Sequence, residues 1–202
     1  MELVMIGKKN PNIEYYNENA KSFIEGTVNA DMSLWRDKFE TYVPDGGRVL
    51  DAGCGSGRDS KAFMQHGFSV VAFDAARKMC KAASELLGQE VWQMRFDEIT
   101  FEDEFDGVWA CASLLHVPGE ELPETMQKLK KSLGDKGIIY VSFKYGDGPM
   151  TKGERTFINF NENTVKTLLE VAGFEVIETG ITGDVREGRS DEKWINAIGR
   201  KK

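Results

Sequence analysis

The chain has 202 residues, 41% hydrophobic and 29% charged, a length and balance that suit one globular domain with its own core and exclude a disordered or fibrous chain. Its formal net charge of −7 repels phosphate backbones and sets nucleic acid aside as a partner. No run approaches the roughly 18 apolar residues of a membrane span, and the apolar start, residues 1–6, is too short for the core of a signal peptide, so a cytoplasmic protein is expected.

In chain order, residues 15–25 and 32–42 predict two helices before any strand, which makes residues 1–45 a helical cover and residues 46–202 the core of one structural domain. From Arg48 onward, short apolar runs alternate with amphipathic segments, the signature of a parallel sheet covered by helices. Residues 48–50 form a first strand that leads into a glycine cluster. Residues 59–66 follow as a helix ended by Gly67, and 68–73 as a buried strand. Residues 77–87 carry Met79, Ala82, Ala83 and Leu86 on one helical face, and Gly88 stops them. Residues 91–94 and 105–110 read as short strands.

Leu122, Met126, Leu129 and Leu133 recur at helical spacing as far as Gly134, and GIIYVSF, residues 137–143, is the strong central strand. Asn163 is expected to cap a helix carrying Val165, Leu168, Leu169 and Ala172, closed by Gly173. Strands at 174–178 and 193–198 end the chain. Only a loop, residues 180–192, joins them, so this pair is expected to lie antiparallel. The fold class is α/β: a Rossmann-like domain with a seven-stranded, mostly parallel sheet and helices on both faces.

The sharpest motif is RVLDAGCGSG, residues 48–57, set where the first strand turns into the first helix. Gly53, Gly55 and Gly57 allow a tight turn and a close approach of backbone to ligand. The dinucleotide fingerprint G-x-G-x-x-G needs a glycine at position 58, and position 58 is Arg. Asp51 precedes the loop; an acid there repels a pyrophosphate and suits a ligand with positive charge, such as an ammonium group. The next strand ends in Asp74, well placed to accept hydrogen bonds from two ribose hydroxyls. The ligand so described has a ribose, a positive amino-acid end and no phosphate, which S-adenosylmethionine (SAM) fits.

These residues resemble the class I SAM-dependent methyltransferases, of the type that includes ubiquinone/menaquinone-biosynthesis and tellurite-resistance enzymes. VLDAGCGSG (49–57) resembles the family's first motif, and DAARKM (74–79) its second, with Ala76 where serine is usual. FDGVW (105–109) followed by LLHV (114–117), LKKSLGDKGIIYVSF (129–143) and AGF (172–174) resemble later motifs, so the likeness runs from Tyr16 to the C-terminus. It implies sheet order 3-2-1-4-5-7-6 with the last strand antiparallel. It implies that Asp51 anchors the methionine end of SAM, that Gly53 and Gly55 pass beneath the ligand, that Asp74, with Ala75 beside it, binds the ribose, and that Met79 packs on the adenine. Tyr16 closes over the cofactor in this reading, and Cys54 and Cys111 are small side chains packed beside it. Where the family often has an aspartate for the adenine amino group this chain has Arg95, which accepts no hydrogen bond, so Asp97 or the Phe96 amide takes that place.

Methyl transfer from a sulfonium needs alignment more than proton chemistry. His116, just past the fourth strand, is the candidate catalytic base or acceptor-orienting group, or else a residue that packs the pocket. Tyr15, Lys144, Tyr145 and Arg155 are candidates for the acceptor side, as are Asp184 and Arg186 in the later loops. His66 at a helix end is expected to be structural, Arg58 to pair with a nearby acid, and Trp35 and Phe39 to be core. Cys54, Cys80 and Cys111 lack paired spacing, which argues against disulfides and against a metal site. A small-molecule methyl acceptor is expected, with S-adenosylhomocysteine (SAH) as the other product. The alternatives are methylation of a tRNA base and a catalytically silent SAM-binding scaffold.

Overall fold

The computed structural model describes residues 10–186, 188–189 and 191–202. Three short helices come first: α1 (Pro11–Glu18), α2 (Ala20–Thr27) and α3 (Ser33–Glu40). Asn10 caps α1 by accepting from the amides of Asn12 at 3.0 Å and Ile13 at 3.4 Å, and Pro11 takes the first turn, where no amide donor is needed. The single helix expected over residues 15–25 is broken at Asn19. Its side-chain amide donates to the Tyr15 carbonyl at 2.9 Å, taking an acceptor at the end of the helix, and the backbone turns there.

The sheet is built from β1 (Arg48–Ala52), β2 (Ser69–Asp74), β3 (Trp92–Gln93), β4 (Phe105–Ala110) and β5 (Leu133–Lys144), with helices α4 (Arg58–Gln65), α5 (Arg77–Leu87) and α6 (Leu122–Ser132) between them. A two-stranded hairpin, β6 (Gly148–Lys152) and β7 (Arg155–Asn159), then precedes α7 (Glu162–Val171), β8 (Phe174–Gly183) and β9 (Lys193–Lys201). The seven-stranded order is β3-β2-β1-β4-β5-β9-β8, with β9 antiparallel to both its neighbours. Once the hairpin is set apart, this is the expected order.

The hairpin itself has no counterpart in the expected elements. Phe157 is its one buried residue, and the apolar Pro149, Met150 and Ile158 do not alternate with polar positions along either strand, so no apolar face announces it. Its one local signal is Gly153, at φ +61°, opening the two-residue turn. Two boundaries also move. Leu133 opens β5 opposite Phe105 instead of ending the helix, and Asn161, not Asn163, caps α7 by accepting from the amides of Asn163 and Thr164 at 2.9 and 3.0 Å.

One face of the sheet buries Phe105, Met126, Leu129, Phe143, Leu169 and Phe174 beneath α6 and α7. The other buries Phe63, Trp109 and Tyr140, the last two stacked with ring centres 3.8 Å apart. Helix α3 belongs to that second face. A Cβ at Gly107 would meet the Phe39 ring at 2.6 Å, so the glycine of β4 is the space into which α3 settles. Trp35 and Phe39 are core, as expected.

Candidate functional site

The carboxyl ends of β1, β2, β4 and β5 open into a cleft of about 510 Å³. Its floor is the turn from β1 to α4. Gly53 and Gly55 take φ of +80° and +55°. A Cβ on Gly53 would collide with Ser113 at 2.5 Å, whereas one on Gly55 would meet only Phe23, at 3.8 Å, and so would stand in open cleft. Backbone thus runs closest to the cleft at Gly55. The amides of Gly53 and Cys54 both donate to the Phe73 carbonyl at 2.9 Å, which ties the turn to the end of β2.

Asp74 organises this floor. One carboxylate oxygen accepts from the Gly55 amide at 2.9 Å, and the other from the Ala76 amide at 2.8 Å. Burial pushes its pKa up, and the three backbone amides of Ala76, Gly55 and Ala75 pull it back. Each oxygen keeps a lone pair for a ligand hydroxyl.

Asp51 is buried at the end of β1 and accepts from the Ser60 hydroxyl at 2.6 Å. Burial, then repulsion from Asp59, pushes its pKa up to about 7. Asp59 is fully engaged: Arg58 donates to its two oxygens at 2.9 and 2.6 Å, and the Trp109 indole donates at 3.0 Å. Asp51 is therefore the acid without a cationic partner of its own, facing a cleft in which a ligand ammonium would supply one. The residues fit the amino-acid end of SAM.

Ala75, Met79, Phe96 and Asp97 line the next part of the cleft. Phe96 stands edge-on to Phe73, with ring centres 5.4 Å apart. Asp97 is brought to the cleft but is already held by Arg95, at 2.8 and 2.6 Å, and that guanidinium keeps its carboxyl below the usual range. Cys54 and Cys111 also line the cleft. Burial raises both thiols, that of Cys111 to about 12, which favours their neutral form.

Over the cleft lies a roof of α1, the hairpin and the turn 114–116. The Tyr16 hydroxyl and His116 Nε2 are 2.8 Å apart, and His116 Nδ1 lies 3.1 Å from the Thr156 carbonyl. A carbonyl only accepts, so Nδ1 carries the proton, and Nε2 accepts from Tyr16. Burial lowers the histidine pKa to about 4, with Arg155 and Lys144 adding to the effect. Burial raises that of Tyr16. Asn12, on which sequence reasoning placed nothing, clasps Thr156 and fixes the hairpin over α1.

The acceptor-side candidates divide. Lys144, Arg155 and Arg186 line the cleft, with Phe157 and Trp194 among them. Tyr15 does not. It lies behind Arg155, whose guanidinium stacks 4.1 Å above its ring. Tyr145 does not either: successive side chains of an extended chain face opposite ways, so its hydroxyl points outward to Glu162 at 3.1 Å. Arg58 pairs with Asp59, and His66 pairs with Glu40 at 2.8 Å, as structural groups. Among the described residues no cluster has a metal-binding arrangement, and no helix is long and apolar enough to cross a membrane.

Residues 49–137 match the model of a methyltransferase domain. The chain is 27% identical over 143 residues to YqeM of Bacillus subtilis, a protein named provisionally as a methyltransferase, which covers 65% of this chain and 58% of that one. The chain thus spans about three fifths of the length of the curated relatives it matches. Among solved structures it shares its fold, at 19% identity and a TM-score of 0.78, with the 1,6-didemethyltoxoflavin-N1-methyltransferase of Burkholderia thailandensis, crystallised with 1,6-didemethyltoxoflavin and SAH. The match covers 95% of this chain and 86% of that one. The magnesium protoporphyrin IX methyltransferase of Synechocystis, solved with SAH, matches at 19% identity and a TM-score of 0.68, over 96% and 100% of the two chains. At these identities the likeness is one of fold.

Proposed function

We propose that this chain is a class I SAM-dependent methyltransferase that transfers a methyl group from SAM to a small-molecule acceptor, a reading supported by the methyltransferase-domain match over residues 49–137. One observation carries the reading: Asp51 and Asp74 flank a glycine turn whose closest backbone, at Gly55, faces a single cleft. Two acids suit a ribose and an ammonium and repel a pyrophosphate. SAM supplies an activated methyl, bonded to a sulfonium that leaves as a neutral thioether when the acceptor's lone pair takes the methyl. The protein's share is alignment and exclusion of water.

In this reading Asp74 receives the ribose hydroxyls, Asp51 holds the amino-acid end, and Met79 and Phe96 enclose the adenine. Asp97 is spent on Arg95, so the backbone near Phe96 recognises the adenine edge. His116 is a positioning residue. With a pKa of about 4 it holds a proton too weakly to serve as a store at neutral pH. Neutral and tied to Thr156, it orients the Tyr16 hydroxyl at the boundary between cofactor and acceptor. Residues 1–45 act as the helical cover and 46–202 as the catalytic core, and the cytoplasm is the proposed location.

The test is a two-step assay. SAM, SAH and NAD are each titrated by calorimetry, then labelled methyl from SAM is followed into the products of a metabolite extract. SAM and SAH are expected to bind, with label entering a small product. Binding of NAD with no binding of SAM overturns the reading, and label entering RNA instead selects the tRNA alternative.

A further inference from the structure

The two halves of the cleft carry opposite charge. The floor bears Asp51 and Asp74. The far wall, made by the end of β5, the hairpin and the connection from β8 to β9, bears Lys144, Lys152, Arg155, Arg186 and Arg189. Two acids answer four of these cations. Glu192 takes Lys144 at 2.5 Å, Lys152 at 3.4 Å and Arg189 at 3.6 Å, and Asp184 pairs with Arg186. Among the described residues no carboxylate lies within ion-pair distance of Arg155. Among the described residues that line this wall, cations therefore outnumber carboxylates, five to the one of Asp184, and Arg155 is the cation left unanswered.

Arg155 is also the most prepared of the five. Its guanidinium stacks on Tyr15 at 4.1 Å and lies 5.2 Å from the Phe157 ring. Among the described residues its buried Nε has no hydrogen-bond partner, and aromatic faces hold the guanidinium in place. A planar cation held by stacking loses little freedom when it meets an anion and presents a fork that matches a carboxylate. It shares the cleft with Tyr16, His116 and Phe157, the residues that stand between the cofactor floor and the wall.

We propose that Arg155 is the recognition residue for an anionic acceptor: the methyl is received by a small molecule that carries a carboxylate, and that carboxylate pairs with the Arg155 guanidinium. The proposal rests on the reading of this cleft as a methyl-transfer site. No bond is made or broken at Arg155. The carboxylate is a handle, and the atom that takes the methyl lies toward Tyr16.

The test uses the full chain saturated with SAH, titrated with benzoate, indole-3-acetate and hexanoate, each beside its amide. At least one carboxylate is expected to bind about ten- to a hundredfold more tightly than its amide. Arg155→Met should bring the pair within about twofold with SAH affinity unchanged, and Arg155→Lys should keep part of the preference, since it keeps the charge and loses the fork. A wild-type protein that binds SAH and prefers no carboxylate to its amide overturns the proposal without help from any variant. So does an Arg155→Met protein, or an Arg155→Lys protein should the first not fold, that retains the full preference. Failure to bind SAH at all strikes instead at the methyl-transfer reading.

Discussion

Asn12 and Thr156 hold one another through three hydrogen bonds across 144 residues: the Asn12 amide nitrogen donates to the Thr156 carbonyl at 3.2 Å and hydroxyl at 3.3 Å, and its oxygen accepts from the Thr156 amide at 3.0 Å. The same Thr156 carbonyl receives His116 Nδ1. One side chain at the start of α1 thereby fixes the hairpin that carries Arg155.

Asn12→Ala strips the Thr156 amide of its acceptor and the Thr156 carbonyl of one of its two donors. The expected cost is about 1–3 kcal/mol of stability, read as a lower urea midpoint at unchanged slope. A midpoint equal to wild type denies the clasp any structural role.

Asp74→Asn keeps an acceptor for one loop amide and loses the charge-assisted bonds to the ligand. SAH affinity should fall by about 1.5–3 kcal/mol, with the thermal midpoint of the free protein little changed. Calorimetry that finds wild-type affinity in the folded variant removes Asp74 from the cofactor site.

Affinity for SAH should depend on pH through Asp51. Its pKa is raised to about 7, so below that value the folded protein holds a proton where a ligand ammonium needs a carboxylate. Binding then expels the proton. Affinity rises with pH through about 7, by up to about tenfold per unit on the acid side, and levels off above. Asp51→Asn should bind weakly with no such slope. A flat wild-type profile between pH 5.5 and 8 contradicts the placement of the ammonium beside Asp51.

His116 gives the opposite kind of expectation. The chain has two histidines, and one of them should titrate near pH 4 by NMR. Its folded pKa lies below the unfolded value of about 6.5, so the unfolded chain binds more protons between the two. The histidine's contribution to stability is present above pH 6.5 and is lost as pH falls toward 4. The methylation rate should show no histidine limb between pH 6 and 8. A limb near 6.5 that disappears in His116→Gln restores His116 as a general base.

Gly55→Val forces a β-branched residue to a φ of +55° and pushes its side chain into open cleft. SAH binding should be abolished in a chain that still folds. Retained affinity would mean that the ligand does not pass over this turn.

The sheet was legible because its signals are local. Apolar strands such as GIIYVSF, stop glycines at 67 and 88, and an acid at each of two strand ends are readable one segment at a time. What escaped was set by pairing across distance. Asn12 looks like any polar residue near a helix start, and its meaning lies in a partner 144 residues away. The hairpin folds because α1 and the 114–116 turn receive it, not because its own residues form an apolar face. Tyr15 and Tyr145 were placed in the cleft by their neighbours, Tyr16 and Lys144, yet only those neighbours line it. A difference of one position decides which way a side chain points, and only the packed backbone settles it.

The basic wall sits inside an acidic molecule, and an approaching anion feels the two in sequence. Far away it meets the field of a net charge of −7, which turns it back. Within the mouth it meets the cations that line the wall, Arg155 foremost, which draw it in. Salt separates these regimes. At 0.01 M the screening length is about 30 Å and the far repulsion reaches well past the mouth. At 0.15 M it is about 8 Å, and the repulsion fades before the contact with Arg155 does. A carboxylate therefore enters faster as salt rises toward cellular strength, the reverse of the usual slowing of electrostatic capture.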